Sequence, residues 1–147
     1  MHFPLPAPVE KALCMLTARG YEAYVVGGCV RDLLMGKVPT DYDITTNALP
    51  QDVINIFPKT VATGIKHGTI TVLLDKETIE ITTYRTDGEY VDNRHPEKVQ
   101  FVAGIGEDLS RRDFTVNAIA YSPYRGILDP LGGRKDIKNK IIKCFPP

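Results

Sequence analysis

The chain has 147 residues, 43% of them hydrophobic and 24% charged, which suffices for one domain with a real core and is too short for two ordinary ones. Basic and acidic side chains balance at 18 each, whereas a domain that grips a nucleic-acid backbone unaided usually carries a basic excess. No apolar run approaches the ~20 residues of a membrane span and no signal-peptide pattern opens the sequence.

In chain order, Val9, Ala12, Leu13 and Leu16 follow i, i+3, i+4, i+7 and predict an amphipathic helix that stops at Gly20. Glu22 to Val26 reads as a strand, Val30 to Leu34 as a short helix opened by Gly27-Gly28 and closed by Gly36, and Asp41 to Thr45 as a second strand. Pro50 opens a helix to about Phe57. Thr69 to Leu74 and Thr78 to Tyr84 flank Asp75-Lys76-Glu77, a hairpin signal. In the second arm, alternation puts Ile79 and Ile81 on one face, Glu80 and Thr82 on the other. Thr86 to Glu97 is polar, aperiodic and holds Gly88 and Pro96, which predicts a mobile loop. Asp108 to Tyr121 returns to helical character. Asp129-Pro130 and Gly132-Gly133 predict a turn, then a short helix and a last strand over Ile141 to Cys144.

Cys14, Cys29 and Cys144 are odd in number, widely spaced and lack a CxxC pair. They read as buried small hydrophobes in a reducing cytoplasm rather than a disulfide frame or zinc site.

The pair Asp41-Tyr42-Asp43 carries the most chemistry. In a strand, residues i and i+2 point the same way, roughly 7 Å apart. Two carboxylates held so repel each other unless cations intervene, and divalent ions about 3.5–4 Å apart serve phosphoryl or nucleotidyl transfer. Gly27-Gly28 opening a helix offers phosphates a backbone N–H cradle, although the segment is neither a Walker A loop nor GxGxxG. Glu80, on a neighbouring strand, is a candidate third carboxylate. Arg112 is a candidate triphosphate fork, and Asp113 or Asn117 a partner for a ribose hydroxyl. Taken singly, each feature also reads blandly, as a tight turn, solvated acids or a charged helix face.

Together they carry a resemblance. Gly27-Gly28-x-Val30-Arg31-Asp32-Leu33-Leu34-x-Gly36, Asp41-x-Asp43-Ile44-x-Thr46-x-Ala48-x-Pro50, Arg111-Arg112-Asp113-Phe114-Thr115-x-Asn117-Ala118 and Asp129-Pro130-x-Gly132-Gly133 resemble the class II tRNA nucleotidyltransferase and poly(A) polymerase family. That family belongs to the DNA polymerase β-like superfamily. Lys66-His67-Gly68-Thr69 and Asp87-Gly88-x-Tyr90-x-Asp92-x-Arg94 look most like its CCA-adding members of the Gram-positive type.

The resemblance implies an α/β head, a small mixed sheet backed by helices. It implies Asp41 and Asp43 as catalytic, magnesium-binding carboxylates with Glu80 as the third catalytic acid. Gly27, Gly28 and Arg31 would meet the nucleotide's phosphates, Arg112 the triphosphate, and Asp113 with Asn117 the ribose. Implied substrates are CTP, ATP and the tRNA 3′ end, with A-adding or poly(A) activity, or a non-catalytic nucleotide-binding module, as alternatives. The Thr86–Glu97 loop corresponds to the family's flexible loop, and Asp129–Gly133 to a springy element between head and neck. A neck helix with a Glu-Asp-x-x-Arg motif and the tRNA-holding body and tail domains are not among these residues, so the expectation for 1–147 is a catalytic head alone.

Overall fold

The computed structural model describes residues 5–39, 41–65, 68–87, 99–101, 104–105, 109, 118–129 and 132–133, without the side chains of 63, 85–87 and 99–101. Helix α1 (Ala7–Ala18) buries Val9, Ala12, Leu13 and Leu16, the stripe its periodicity predicts. Strand β1 (Ala23–Val26) is buried at all four positions. Gly27 then turns the chain into helix α2 (Gly28–Leu34) with φ 78 and ψ −141, a backbone state open essentially to glycine. At the far end of α2, Gly36 takes φ 75 and the Lys37 amide reaches back to the Asp32 carbonyl at 2.8 Å.

Strand β2 (Asp43–Thr46) and helix α3 (Pro50–Ile56) follow; the Leu49 amide donates to the Asp52 carboxylate at 3.0 Å, capping the helix start. Strands β3 (Thr60–Gly64), β4 (Thr69–Leu74) and β5 (Glu77–Thr83) form a meander. The β4–β5 turn is made by Asp75 and Lys76 at φ 50 and 69, two left-handed residues whose twist suits a two-residue hairpin. Strands β6 (Arg85–Asp87) and β7 (Val99–Phe101) pair with each other, and β8 (Ala120–Ser122) with β9 (Gly126–Leu128).

Seven strands form one mixed sheet in the order β3-β4-β5-β2-β1-β8-β9. Strands β2 and β5 run parallel, and the other described ladders are antiparallel. One face carries the main core, with Val25, Ile44, Ile81 and Ile70 packed among buried residues of α1, α2 and α3. A smaller cluster of Tyr24, Val26, Leu109, Ala118 and Ala120 lies apart from it, joined by Ile105 and Leu128. At the end of β2 away from Asp43, buried polar groups are satisfied. Thr46 donates to the Glu22 carbonyl and accepts the Ala48 amide at 3.1 Å, Thr83 donates to the Ala48 carbonyl at 2.6 Å, and the Tyr84 hydroxyl donates to Glu22 at 3.0 Å.

Three expectations need correction or placement. The helix expected to reach Tyr121 does not, because Ala120 and Tyr121 pair with Val26 and Val25 at the sheet; a buried ladder outweighs local helical preference. Strands β3 and β9 lie where no element was expected. Of the Thr86–Glu97 loop, Thr86 and Asp87 belong to β6, opposite Gln100 and Val99; residues 88–97, the helix after Gly133 and the 141–144 strand lie outside the described residues.

Candidate active site

Register decides which side chains meet. Val61, Thr71, Glu80, Asp43, Val26, Ala120 and Leu128 form one row across all seven strands. Cross-strand partners share a face, so Asp43 and Glu80 stand side by side on the sheet face opposite Val25, Ile44 and Ile81. Both acids are exposed while their chain neighbours Ile44, Ile79 and Ile81 are buried. Asp41 precedes β2 and is also exposed. Tyr42, between the two acids, is half-buried against the main core, and burial raises its phenol pKa. It anchors the segment that carries both carboxylates.

The glycine turn lies at the same end of the sheet, because Gly27 directly follows Val26, the register partner of Asp43. The first turn of a helix leaves N–H groups without intrahelical acceptors, and here that turn begins at Gly28. A β-carbon placed on Gly28 would lie 3.5 Å from Arg31 Nη2, so the guanidinium folds back over the turn. Arg31 Nε also stands 3.5 Å from the Asp32 carboxylate, with both side chains partly exposed. An ion pair at that exposure restrains the arginine weakly, and its positive charge stays beside the amides.

Cys29, the second residue of α2, packs as the small hydrophobe its spacing predicts. It is buried and its thiol donates to the Val26 carbonyl at 3.0 Å. Burial pushes its pKa up to about 11. That bond reaches three residues back, to the strand end that leads into the glycine turn.

Arg112, Asp113 and Asn117 lie outside the described residues. Leu109 and Ala118, which flank them in sequence, are both fully buried in the cluster with Val26, the immediate neighbour of Asp43 in the row. Asp129 caps its own turn, its carboxylate accepting the Gly133 amide at 2.7 Å. A pocket of about 460 Å³ beside Asp41 is lined by Pro6 to Val9, Tyr42 and the acids Asp75 and Glu77. Its carboxylates would repel a triphosphate, and neither the glycine turn nor Arg31 lines it.

Among the described residues, no three His, Cys, Asp or Glu side chains gather closely enough to hold a metal ion by themselves. What they offer is exposed carboxylate oxygen at Asp41, Asp43 and Glu80 near a phosphate-compatible turn. That donor set suits magnesium, which takes one or two carboxylates and completes its shell with water and substrate phosphates. No helix among the described residues is long and apolar enough to cross a membrane.

Comparison with known proteins bears on the family and the fold. A family model described as the poly(A) polymerase head domain matches residues 23–143. The CCA-adding enzyme of Geobacillus stearothermophilus is 52% identical over 139 residues, 92% of this chain and 34% of that protein. The Listeria monocytogenes CCA-adding enzyme is 51% identical over 129 residues, 88% of this chain and 33% of that protein. The crystal structure of the Bacillus stearothermophilus CCA-adding enzyme in complex with CTP superposes with a TM-score of 0.84 at 45% identity, covering 95% of this chain and 34% of that one. The Thermotoga maritima CCA-adding enzyme complexed with tRNA gives 0.72 at 27% identity, over 95% and 33%. The chain thus spans about a third of the length of the curated relatives it matches.

Proposed function

The chain belongs to the poly(A) polymerase head-domain family, and on that premise we propose that residues 1–147 are the catalytic head of a cytoplasmic CCA-adding enzyme. The parent enzyme transfers CMP, CMP and AMP from CTP and ATP to the 3′ end of tRNA. In each transfer the terminal 3′-hydroxyl forms a bond to the α-phosphorus, the α–β bridging bond breaks, and diphosphate leaves. The observation that carries this reading is the pairing of Asp43 with Glu80 on one sheet face, at the strand end where Gly27-Gly28 opens α2.

Asp41 and Asp43 hold magnesium, with Glu80 beside them completing the negative field. When bound, the ion stabilises charge on the phosphoryl oxygens and acidifies the attacking hydroxyl. The remaining work falls to the chain. The amides after Gly27 and the Arg31 guanidinium take the phosphates. Arg112 neutralises the triphosphate, and Asp113 and Asn117 hold the ribose. Body, neck and tail domains outside these residues hold the tRNA and select the base, which accords with the zero net charge of the head.

A turnover assay of the longer protein with radiolabelled CTP and ATP, using tRNA lacking its 3′ end, tests the reading. Sequential C, C and A incorporation is the expected result. Incorporation of A alone would reassign the parent to A-adding or poly(A) activity, and the absence of magnesium-dependent incorporation would refute it.

A further inference from the structure

We propose that the hydroxyl pair Thr82–Thr69 receives the 2′-hydroxyl of the RNA end being extended, which makes Thr82 a residue that selects ribose over deoxyribose at the acceptor. The inference rests on the function proposed above and deepens it by fixing the side from which the acceptor enters.

The register row orders the site across the sheet. Val26 on β1 leads into the glycine turn, Asp43 on β2 and Glu80 on β5 come next, and Thr71 on β4 stands beyond Glu80. In-line displacement at the α-phosphorus puts the attacking oxygen opposite the leaving diphosphate. With the phosphates at Gly27-Gly28, on the β1 side, the attacking 3′-hydroxyl comes over the acids from the side of β5 and β4. Burial among the described residues agrees. On the β1 side the acid-bearing face is covered, Tyr24 and Val26 being buried with Leu109, Ala118 and Ala120. On β4 and β5 it stays accessible, with Glu80 exposed and Thr69, Thr71 and Thr82 half-buried.

The accessible part of that face carries hydroxyls. Thr82 follows Glu80 by two positions on β5, so it shares the same face about 7 Å along the strand. Its register partner on β4 is Thr69, and the two hydroxyl oxygens lie 2.9 Å apart, either able to donate. One O–H is used within the pair, which leaves the other O–H to donate and oxygen lone pairs to accept. A 2′-hydroxyl also donates and accepts, and it is the group by which a protein tells RNA from DNA. On the terminal ribose it sits on the carbon next to the one bearing the attacking oxygen. A ribose held with its 3′-oxygen at the acids therefore brings its 2′-oxygen to the threonine pair.

The test uses the longer protein and two tRNA substrates lacking the 3′ end, one terminating in ribose and one in 2′-deoxyribose. The kcat/KM for the first nucleotide added is measured on each. The unmodified protein should prefer the ribose end by about two- to tenfold, the range that one net hydrogen bond implies. In Thr82→Val, which keeps the β-branched shape, the preference should disappear, because only the ribose end has a bond to lose. Thr82→Ser should restore it, even at a lower melting temperature. A preference unchanged in Thr82→Val, or absent from the unmodified protein, overturns the proposal and leaves the function of the head standing. No extension of either tRNA by the unmodified protein would overturn the proposed function and this inference with it.

Discussion

Replacing Glu80 by glutamine keeps the size and strand preference of the side chain and removes one charge from the acidic pair. Asp43 and Glu80 are direct partners on adjacent parallel strands, both exposed. Like charges directly opposite in a sheet destabilise by roughly 0.2–1 kcal/mol, and solvent screening keeps an exposed pair within that range. Without divalent ions, Glu80→Gln should therefore stabilise the chain, raising the melting temperature by about 1–4 °C for a domain of this size. With magnesium and CTP the order reverses. The paired charge that repelled in the free protein is what balances the cation, and loss of a carboxylate supporting a metal site costs about ten- to a hundredfold in affinity. Differential scanning calorimetry, with and without magnesium, gives the first comparison, and isothermal titration calorimetry with magnesium–CTP gives the second. A variant less stable than the parent in the absence of metal, with unchanged affinity, would refute the electrostatic reasoning.

Gly27→Ala should destabilise by about 1–3 kcal/mol, because its φ of 78 with ψ −141 strains any side chain. Gly28→Ala should fold normally, since the new β-carbon meets Arg31 at an ordinary 3.5 Å, yet weaken CTP binding by crowding the turn; thermal melts and calorimetric titration separate the two. Leu109→Ala should cost about 2–5 kcal/mol in denaturant unfolding, being fully buried in the cluster beside the acidic row. Thr46→Val should cost about 1–3 kcal/mol by stripping the Ala48 amide of its acceptor. In native protein a thiol reagent should label exposed Cys14 far faster than buried Cys29, measured by mass spectrometry of the modified peptides.

Much of the site was legible because it depends on short-range periodicity. Alternation around Glu80 separates it from Ile79 and Ile81, and the stripe of Val9, Ala12, Leu13 and Leu16 is buried as its spacing predicts. The glycine pair marks its own turn, since little else tolerates the backbone of Gly27. What sequence reading missed depends on partners remote in the chain. Ala120 and Tyr121 continue a helical pattern, yet pair with β1 residues almost a hundred positions earlier. Strand β3 is short and carries Ala62 and Gly64, so its assignment rests on β4 beside it. Nor does local pattern reveal that Asp43 and Glu80 share a row, because the parallel register of β2 and β5 is set by the whole meander between them.

The proposed function requires that the exposed acids and the glycine turn form one magnesium-dependent nucleotide site. Isothermal titration of CTP and ATP into the 147-residue chain, with magnesium and then with EDTA, tests it most directly when repeated on Asp41→Ala and Asp43→Ala. Binding should be weak, with little preference between the two bases, dependent on magnesium and lost in both variants while each stays folded by circular dichroism. Binding that survives either substitution, or that ignores magnesium, would contradict it.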